Sequence, residues 1–100
     1  MRVIAKRNLL AFCERHPLAR QPLLAWHEEA LQGKWATPQD IKDRYGSASF
    51  VGRNRVVFNI GGNKYRLIVA VAYQLGVVYV KFVGTHAEYD SVDAATVEME

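Results

Sequence analysis

Between Thr85 and Asp90 the chain gathers a hydroxyl, an imidazole, two carboxylates and a phenol in the run Thr85-His86-Ala87-Glu88-Tyr89-Asp90. Upstream, Arg55, Asn59, Arg66 and Lys81 stand within segments rich in Val, Ile and aromatic residues. An imidazole, a phenol and fixed cations are the parts needed to cleave RNA without a metal. A base removes the 2′-hydroxyl proton, cations hold the extra negative charge of the phosphorane, and an acid protonates the leaving 5′-oxygen. Spacing sorts the members of the run. Thr85 and Glu88 have the form of a capping box, in which each side chain reaches the other's backbone N–H, so Glu88 reads as structural rather than catalytic. His86 and Tyr89 then share a helical face, with Asp90 four residues from His86. Arg66, His86, Tyr89 and Lys81 are the catalytic candidates. A bland reading of the same spacing makes His86 a surface residue beside a cap and Tyr89 a plug for a sheet edge.

Such a cluster works only if the elements before it hold Arg66 and Lys81 against it. After a short candidate strand at Met1–Ile4, the segment from Ala5 to His16 places Leu9, Phe12, Cys13 and His16 on one helical face, and Pro17 stops it. A second helix is expected from Gln21 to Gln32, with Pro22 in its first turn and Gly33 beyond its end; Leu23, Leu24, His27 and Leu31 share a face. Together these make a helical hairpin. Thr37, Pro38 and Asp40 mark the start of a short third helix reaching about Tyr45. Beyond Ser49 the period changes to that of strands. Arg55–Ile60, Tyr65–Tyr73 and Val77–Val83 read as a three-strand antiparallel meander punctuated by Gly61-Gly62-Asn63 and Gln74-Leu75-Gly76. The expected class is α+β, a helical hairpin on one face of a small antiparallel sheet, in a single domain spanning residues 1–100.

Two-residue turns at Gly62-Asn63 and Leu75-Gly76 would set Asn59 opposite Arg66, Ala70 opposite Lys81 and Arg66 opposite Thr85. One face then collects Val56, Phe58, Ile60, Tyr65, Leu67, Val69, Val71, Tyr73, Val78, Val80 and Phe82, which the helices cover. The other collects Arg55, Val57, Asn59, Arg66, Ile68, Ala70, Ala72, Tyr79, Lys81 and Val83. Basic groups concentrated there suit a phosphodiester, and Arg55, Asn59 and Tyr79 are the RNA-binding candidates beside the catalytic ones. For an arbitrary antiparallel sheet, the same basic residues serve only to keep an open face soluble. A non-catalytic RNA- or protein-binding module would use the same face without needing His86 or Tyr89.

Composition sets outer limits. Half of the 100 residues are hydrophobic and 23% are charged, which suits a folded globule, and a net charge of +3 is a mild bias toward anionic partners. The lone Cys13 excludes an internal disulfide and a cysteine zinc cluster. No signal peptide and no apolar run of membrane-spanning length are visible, so a soluble cytoplasmic protein is expected. No metal or other cofactor is assigned, since His16 and His27 are far in sequence from other ligand types. Trp26 and Trp35 read as core packing ahead of base-stacking platforms. The Gly61–Asn63 run joins two strands and reads as a hairpin turn, not a phosphate loop.

The stretches NRVVFNIGGNKYRLIVAVAY and VVYVKFVGTHAEYDSVDAATV, with HP…QPLLAW and W…PQDIK…YGSASFVG upstream, closely resemble the HigB family of toxins from bacterial toxin–antitoxin pairs. The resemblance covers nearly the whole chain. It implies a RelE-like fold and an mRNA interferase that cleaves messenger in translation on the ribosome. It also implies a neutralising helix-turn-helix, HigA-like antitoxin encoded alongside. Asn59, Arg66, His86, Glu88 and Tyr89 match the family pattern, whereas Lys81 stands where relatives often carry Arg and offers a point charge in place of a planar fork. Leu18, Leu23, Trp26 and Trp35 supply more apolar residues than covering one sheet requires. An antitoxin could fill the basic face with acidic or apolar side chains or dock on the outer helices and block ribosome entry; sequence alone does not choose, and the apolar surplus favours docking near the hairpin, through Leu23 and Trp26.

Overall fold

The β-branched segments of the second half form the sheet. In the computed structural model, which describes residues 1–99, five strands run β1 (Arg2–Ile4), β2 (Ser49–Val51), β3 (Arg55–Ile60), β4 (Tyr65–Ala72) and β5 (Val77–Thr85). Their spatial order is β1-β5-β4-β3-β2. The expected meander is its centre. The sheet is wider than the meander on both edges, and mixed: β1 lies parallel to β5, and β2, which carries no strand signal beyond three residues, pairs antiparallel with β3.

The helices form close to where caps and prolines set them. α1 (Lys6–Arg15) buries Leu9, Phe12 and Cys13 and is closed by the His16 N–H donating to the Phe12 carbonyl at 2.9 Å, just before Pro17. A single 3₁₀ turn at Pro17–Ala19 leads into α2 (Arg20–Gln32), which buries Leu23, Trp26, His27 and Ala30. α3 (Pro38–Arg44) opens on a complete capping box between Thr37 and Asp40. The backbone N–H groups of Ala36 and Thr37 hold the Asp40 carboxyl below its ordinary range.

One core joins these layers. Phe58 of β3 is ringed by Trp26, Trp35 and Tyr45, with centroids 5.4, 6.3 and 5.0 Å away. Both tryptophans are therefore packing residues. On the helix-covered face Val56, Ile60, Tyr65, Leu67, Val69, Val71, Val78 and Val80 are all buried as the alternation predicts.

The β3–β4 register is the expected one, with Asn59 opposite Arg66, although the ladder ends earlier than expected, at Ile60 and Tyr65. Gly61, Gly62 and Asn63 all hold positive φ in the resulting four-residue loop, a conformation that glycine and asparagine tolerate best. The β4–β5 register differs. Ala72 pairs with Val77 across a four-residue loop, which shifts Ala70 from Lys81 to Tyr79, a slip of two that keeps each residue on its face. A β-bulge then intervenes: Val69 pairs with Val80 but Ile68 pairs with Phe82, so Lys81 is the extra residue. Beyond it every side chain changes face. Arg66 lies opposite Gly84 rather than Thr85, Val83 is core, and Phe82 joins the uncovered face, reversing the expected assignment of those two residues.

Candidate active site

The bulge divides the uncovered face into rows. Arg55, Ala70 and Tyr79 form one row, Val57, Ile68 and Phe82 the next, and Asn59, Arg66 and Gly84 the third. The basic groups are thus not continuous. An apolar row separates them, and Val57 and Ile68 within it are buried rather than open. From the Arg55 row to the Arg66 row the strands advance four residues, about 13 Å.

The third row meets α4 (His86–Tyr89), a single turn. Its position is fixed by local chemistry. Thr85 accepts from the Glu88 N–H at 3.2 Å, and Glu88 accepts from the Thr85 N–H at 2.8 Å. The expected capping box is present, with Glu88 used structurally. The His86 N–H also donates to the Lys64 carbonyl at 3.1 Å, tying the turn to the β3–β4 loop. Gly84 is needed where it stands: a Cβ there would lie 2.5 Å from Phe82 Cζ and 3.1 Å from Glu88 Oε1. Its missing side chain lets the Phe82 ring and the Glu88 carboxylate close over the strand end.

Arg66, His86 and Tyr89 are brought together at this corner. The Arg66 guanidinium lies over the Tyr89 ring, 5.7 Å from the centroid, a cation–π geometry. Arg66 Nη1 donates to the carbonyls of Asn63 at 2.9 Å and Tyr65 at 3.2 Å. Among the described residues the rest of the fork has no protein partner, so a rigidly held cation keeps donors for an anion. Arg66 is nevertheless only 8% exposed, deeper than an open sheet face suggests. His86 is 53% exposed, with Nδ1 3.3 Å from an Asp90 carboxylate oxygen. This i, i+4 proximity sets a carboxylate beside the exposed imidazole. Asp90 is thus a site residue absent from the catalytic candidates, though its i, i+4 spacing from His86 announces it. Asn59, exposed, stands opposite Arg66 in the same row.

The remaining candidates lie elsewhere. Lys81 and Tyr79 sit together, the ammonium 5.8 Å from the ring centroid, but in the far half of the face. Arg55 is 4% exposed because the segment after α4 crosses over it. It donates to the carbonyls of Ala94 and Val97 and pairs with Glu98, which also accepts from Lys81 at 2.9 Å. These two bonds hold the Glu98 carboxyl below its ordinary range, Lys81 having the larger effect. Arg55 and Lys81 are therefore occupied, not open.

The hairpin also departs from expectation. Leu23 and Trp26 are 0% and 2% exposed, facing the sheet, and cannot offer side chains to a docking partner. The outward apolar residues of this region are Leu18 and Leu31. Burial in the core, not surplus, accounts for the apolar count. Among the described residues no helix is long and apolar enough to cross a membrane.

Comparison with known proteins identifies the family. Residues 19–92 match the family described as HigB_toxin, RelE-like toxic component of a toxin–antitoxin system. The chain is 28% identical over 93 residues to the mRNA interferase toxin HigB of Escherichia coli (strain K12), covering 90% of this chain and 88% of the relative. The mRNA interferases HigB of Escherichia coli O157:H7 and Shigella flexneri match with the same identity and coverage. The stretch matched to the family contains the whole Asn59–Arg66–His86–Tyr89–Asp90 corner and ends before Glu98.

Proposed function

This chain belongs to the HigB family of RelE-like toxic components of toxin–antitoxin systems, and from that membership we propose that it is an endoribonuclease that cleaves translated mRNA on the ribosome and so arrests growth. The observation that carries the reading is the convergence of Arg66, Tyr89 and the Asp90-paired His86 on one corner of the sheet. The relatives named as mRNA interferases support the substrate class.

In this reading the protein supplies all the chemistry from side chains. Arg66, fixed by two carbonyls and by the Tyr89 ring, holds the phosphorane charge as it develops. His86 and Tyr89 carry the two proton transfers, at the 2′-hydroxyl and at the leaving 5′-oxygen, with Asp90 fixing the imidazole. Asn59 positions the strand beside them, and Tyr79, with Arg55 and Lys81 once Glu98 gives way, extends the contact to flanking phosphates. Lys81, farther from the corner, acts through charge on the backbone rather than on the reacting atoms. A cytoplasmic site of action and a helix-turn-helix antitoxin follow from the same reading; co-expression of such a neighbour should abolish the arrest, and undiminished arrest with the antitoxin present would remove that partner from the reading.

A 2′-hydroxyl mechanism leaves a 2′,3′-cyclic phosphate or 3′-phosphate and a 5′-hydroxyl. Mapping of mRNA 5′ ends after induction should find 5′-hydroxyls, and with intact ribosomes controlled for, EDTA should not stop cleavage. A 5′-phosphate end rules the mechanism out. Deoxyribose at the scissile nucleotide should block the reaction. If the protein binds RNA without cutting it in any context, the same face is a binding module only.

A further inference from the structure

Among the described residues, the segment after α4 has no helix or strand beyond residue 90, yet it lies across the uncovered face and is pinned there by two cations. Its turn is locally closed, with the Val97 N–H donating to the Asp93 carbonyl at 2.9 Å and the Ala95 N–H to the Asp93 carboxylate at 3.0 Å. Arg55 receives it from below, donating to Val97 O at 2.5 Å and Ala94 O at 3.2 Å. Glu98 then divides its carboxylate, one oxygen on Arg55 and the other on Lys81. An anion whose two oxygens are each held by a separate cation has the geometry in which a phosphodiester's two free oxygens are gripped.

We propose that Arg55 and Lys81 form a phosphate subsite for RNA, and that the segment after α4 closes it by placing the Glu98 carboxylate where a backbone phosphate lies in the bound state. The inference rests on the nuclease reading above. The subsite faces the same side as Arg66, about 13 Å along the strands, so a single RNA strand running from the corner crosses it. The closure is displaceable. Arg55 is 4% exposed, but Glu98 is 61% and Lys81 25% exposed, so the carboxylate approaches from the solvent side, while the neighbouring Met99 packs against the core. Closure also competes with RNA for the same charges, which makes the segment a brake on binding. The family match ends at residue 92, so the brake lies outside the stretch that the family model covers.

The test measures binding of an oligoribonucleotide 2′-O-methylated throughout, which cannot be cleaved, by fluorescence anisotropy at low salt. Glu98→Gln removes the charge from an exposed side chain, whereas Glu14→Gln makes the same change in net charge on α1, away from the uncovered face. Glu98→Gln should bind about three- to fivefold more tightly than the wild type, as expected when a modest ion pair no longer competes. Glu14→Gln should stay close to the wild type. In the wild-type protein, the amides of Ala95, Thr96 and Val97, which are bonded to Asp93, should lose hydrogen-exchange protection when RNA is added, a readout that a purely structural pin would not give. Equal binding by wild type and Glu98→Gln, an equal gain from Glu14→Gln, or protection that persists with RNA bound would each overturn the subsite while leaving the nuclease reading intact. No RNA binding by any of the proteins, together with no growth arrest, would overturn both.

Discussion

Arg66 and His86 differ in how much of the fold depends on them, and their substitutions separate chemistry from structure. His86 is half exposed and, among the described residues, has Asp90 as its one ion-pair neighbour, so His86→Ala should leave the melting temperature nearly unchanged while lowering cleavage about 10²- to 10⁴-fold, the span of a lost proton-transfer group. Arg66 is buried and ties down the Asn63 and Tyr65 carbonyls. Arg66→Ala should therefore cost about 1–3 kcal/mol of stability as well as about 10²- to 10³-fold in rate. Both variants should relieve growth arrest, and thermal melts beside cleavage assays distinguish the two causes. Arrest that persists in both folded variants would place the chemistry elsewhere. At this scale the placement, though not the roles, follows from the sequence: His86 and Tyr89 come together from their spacing after a cap, and Arg66 from its place opposite Asn59. Asp90 is placed beside His86 by its i, i+4 spacing but receives no catalytic role from it, because an exposed acid at the end of a short run is ordinarily solvent-facing.

Elements are legible where a local signal fixes them and illegible where distant pairing does. Capping boxes at Thr37–Asp40 and Thr85–Glu88 can be read from the residues alone, since both partners lie within one turn. The strand β1 needs a parallel partner almost the whole chain away, β2 pairs through only three residues, and neither partner is encoded in the strand itself. The β4–β5 bulge is the sharpest case. Alternation assigns Phe82 inward and Val83 outward, and one extra residue at Lys81 reverses both, a change no periodicity shows because it depends on which pairing buries more. Its consequence is functional, for the reversal brings Gly84 opposite Arg66 and lets α4 start at the edge of that row. The capping box then becomes the element that aims His86. Thr85→Ala should cost about 1 kcal/mol, fray α4 and reduce cleavage although Thr85 touches no reacting group. Thr85→Ser should restore both stability and rate. Loss of rate with Thr85→Ser equal to that with Thr85→Ala would mean that the methyl, not the cap, positions the turn.

The whole molecule carries a charge balance that sequence totals do not locate. A net charge of +3 suggests an open basic face, but the structure spends Arg55 and Lys81 on Glu98, which leaves Arg66 as the basic group of the uncovered sheet aimed at a free corner among the described residues. The core holds a second hidden charge effect. His27 of α2 is 6% exposed, and burial first, then the nearby Lys6, pushes its imidazole below the ordinary value of 6.5, against the smaller upward pull of Glu28. The sign follows from proton counting: below 6.5 the unfolded chain takes up a proton that the folded core refuses, so stability is full above that pH and falls as pH drops toward the lowered value. A single such group changes stability by at most about 1.4 kcal/mol per pH unit. Glu98 acts in a separate, more acidic window: its depressed carboxyl adds stability above its ordinary value of 4.5, lost as pH falls through the lowered one. Melting temperatures taken from pH 8 to pH 5.5 should therefore fall while Glu98 remains ionised, and the fall should shrink in His27→Leu, whose apolar side chain takes no proton in either state. An undiminished fall in that variant would mean that another group carries the acid sensitivity, and that the core tolerates a charged His27.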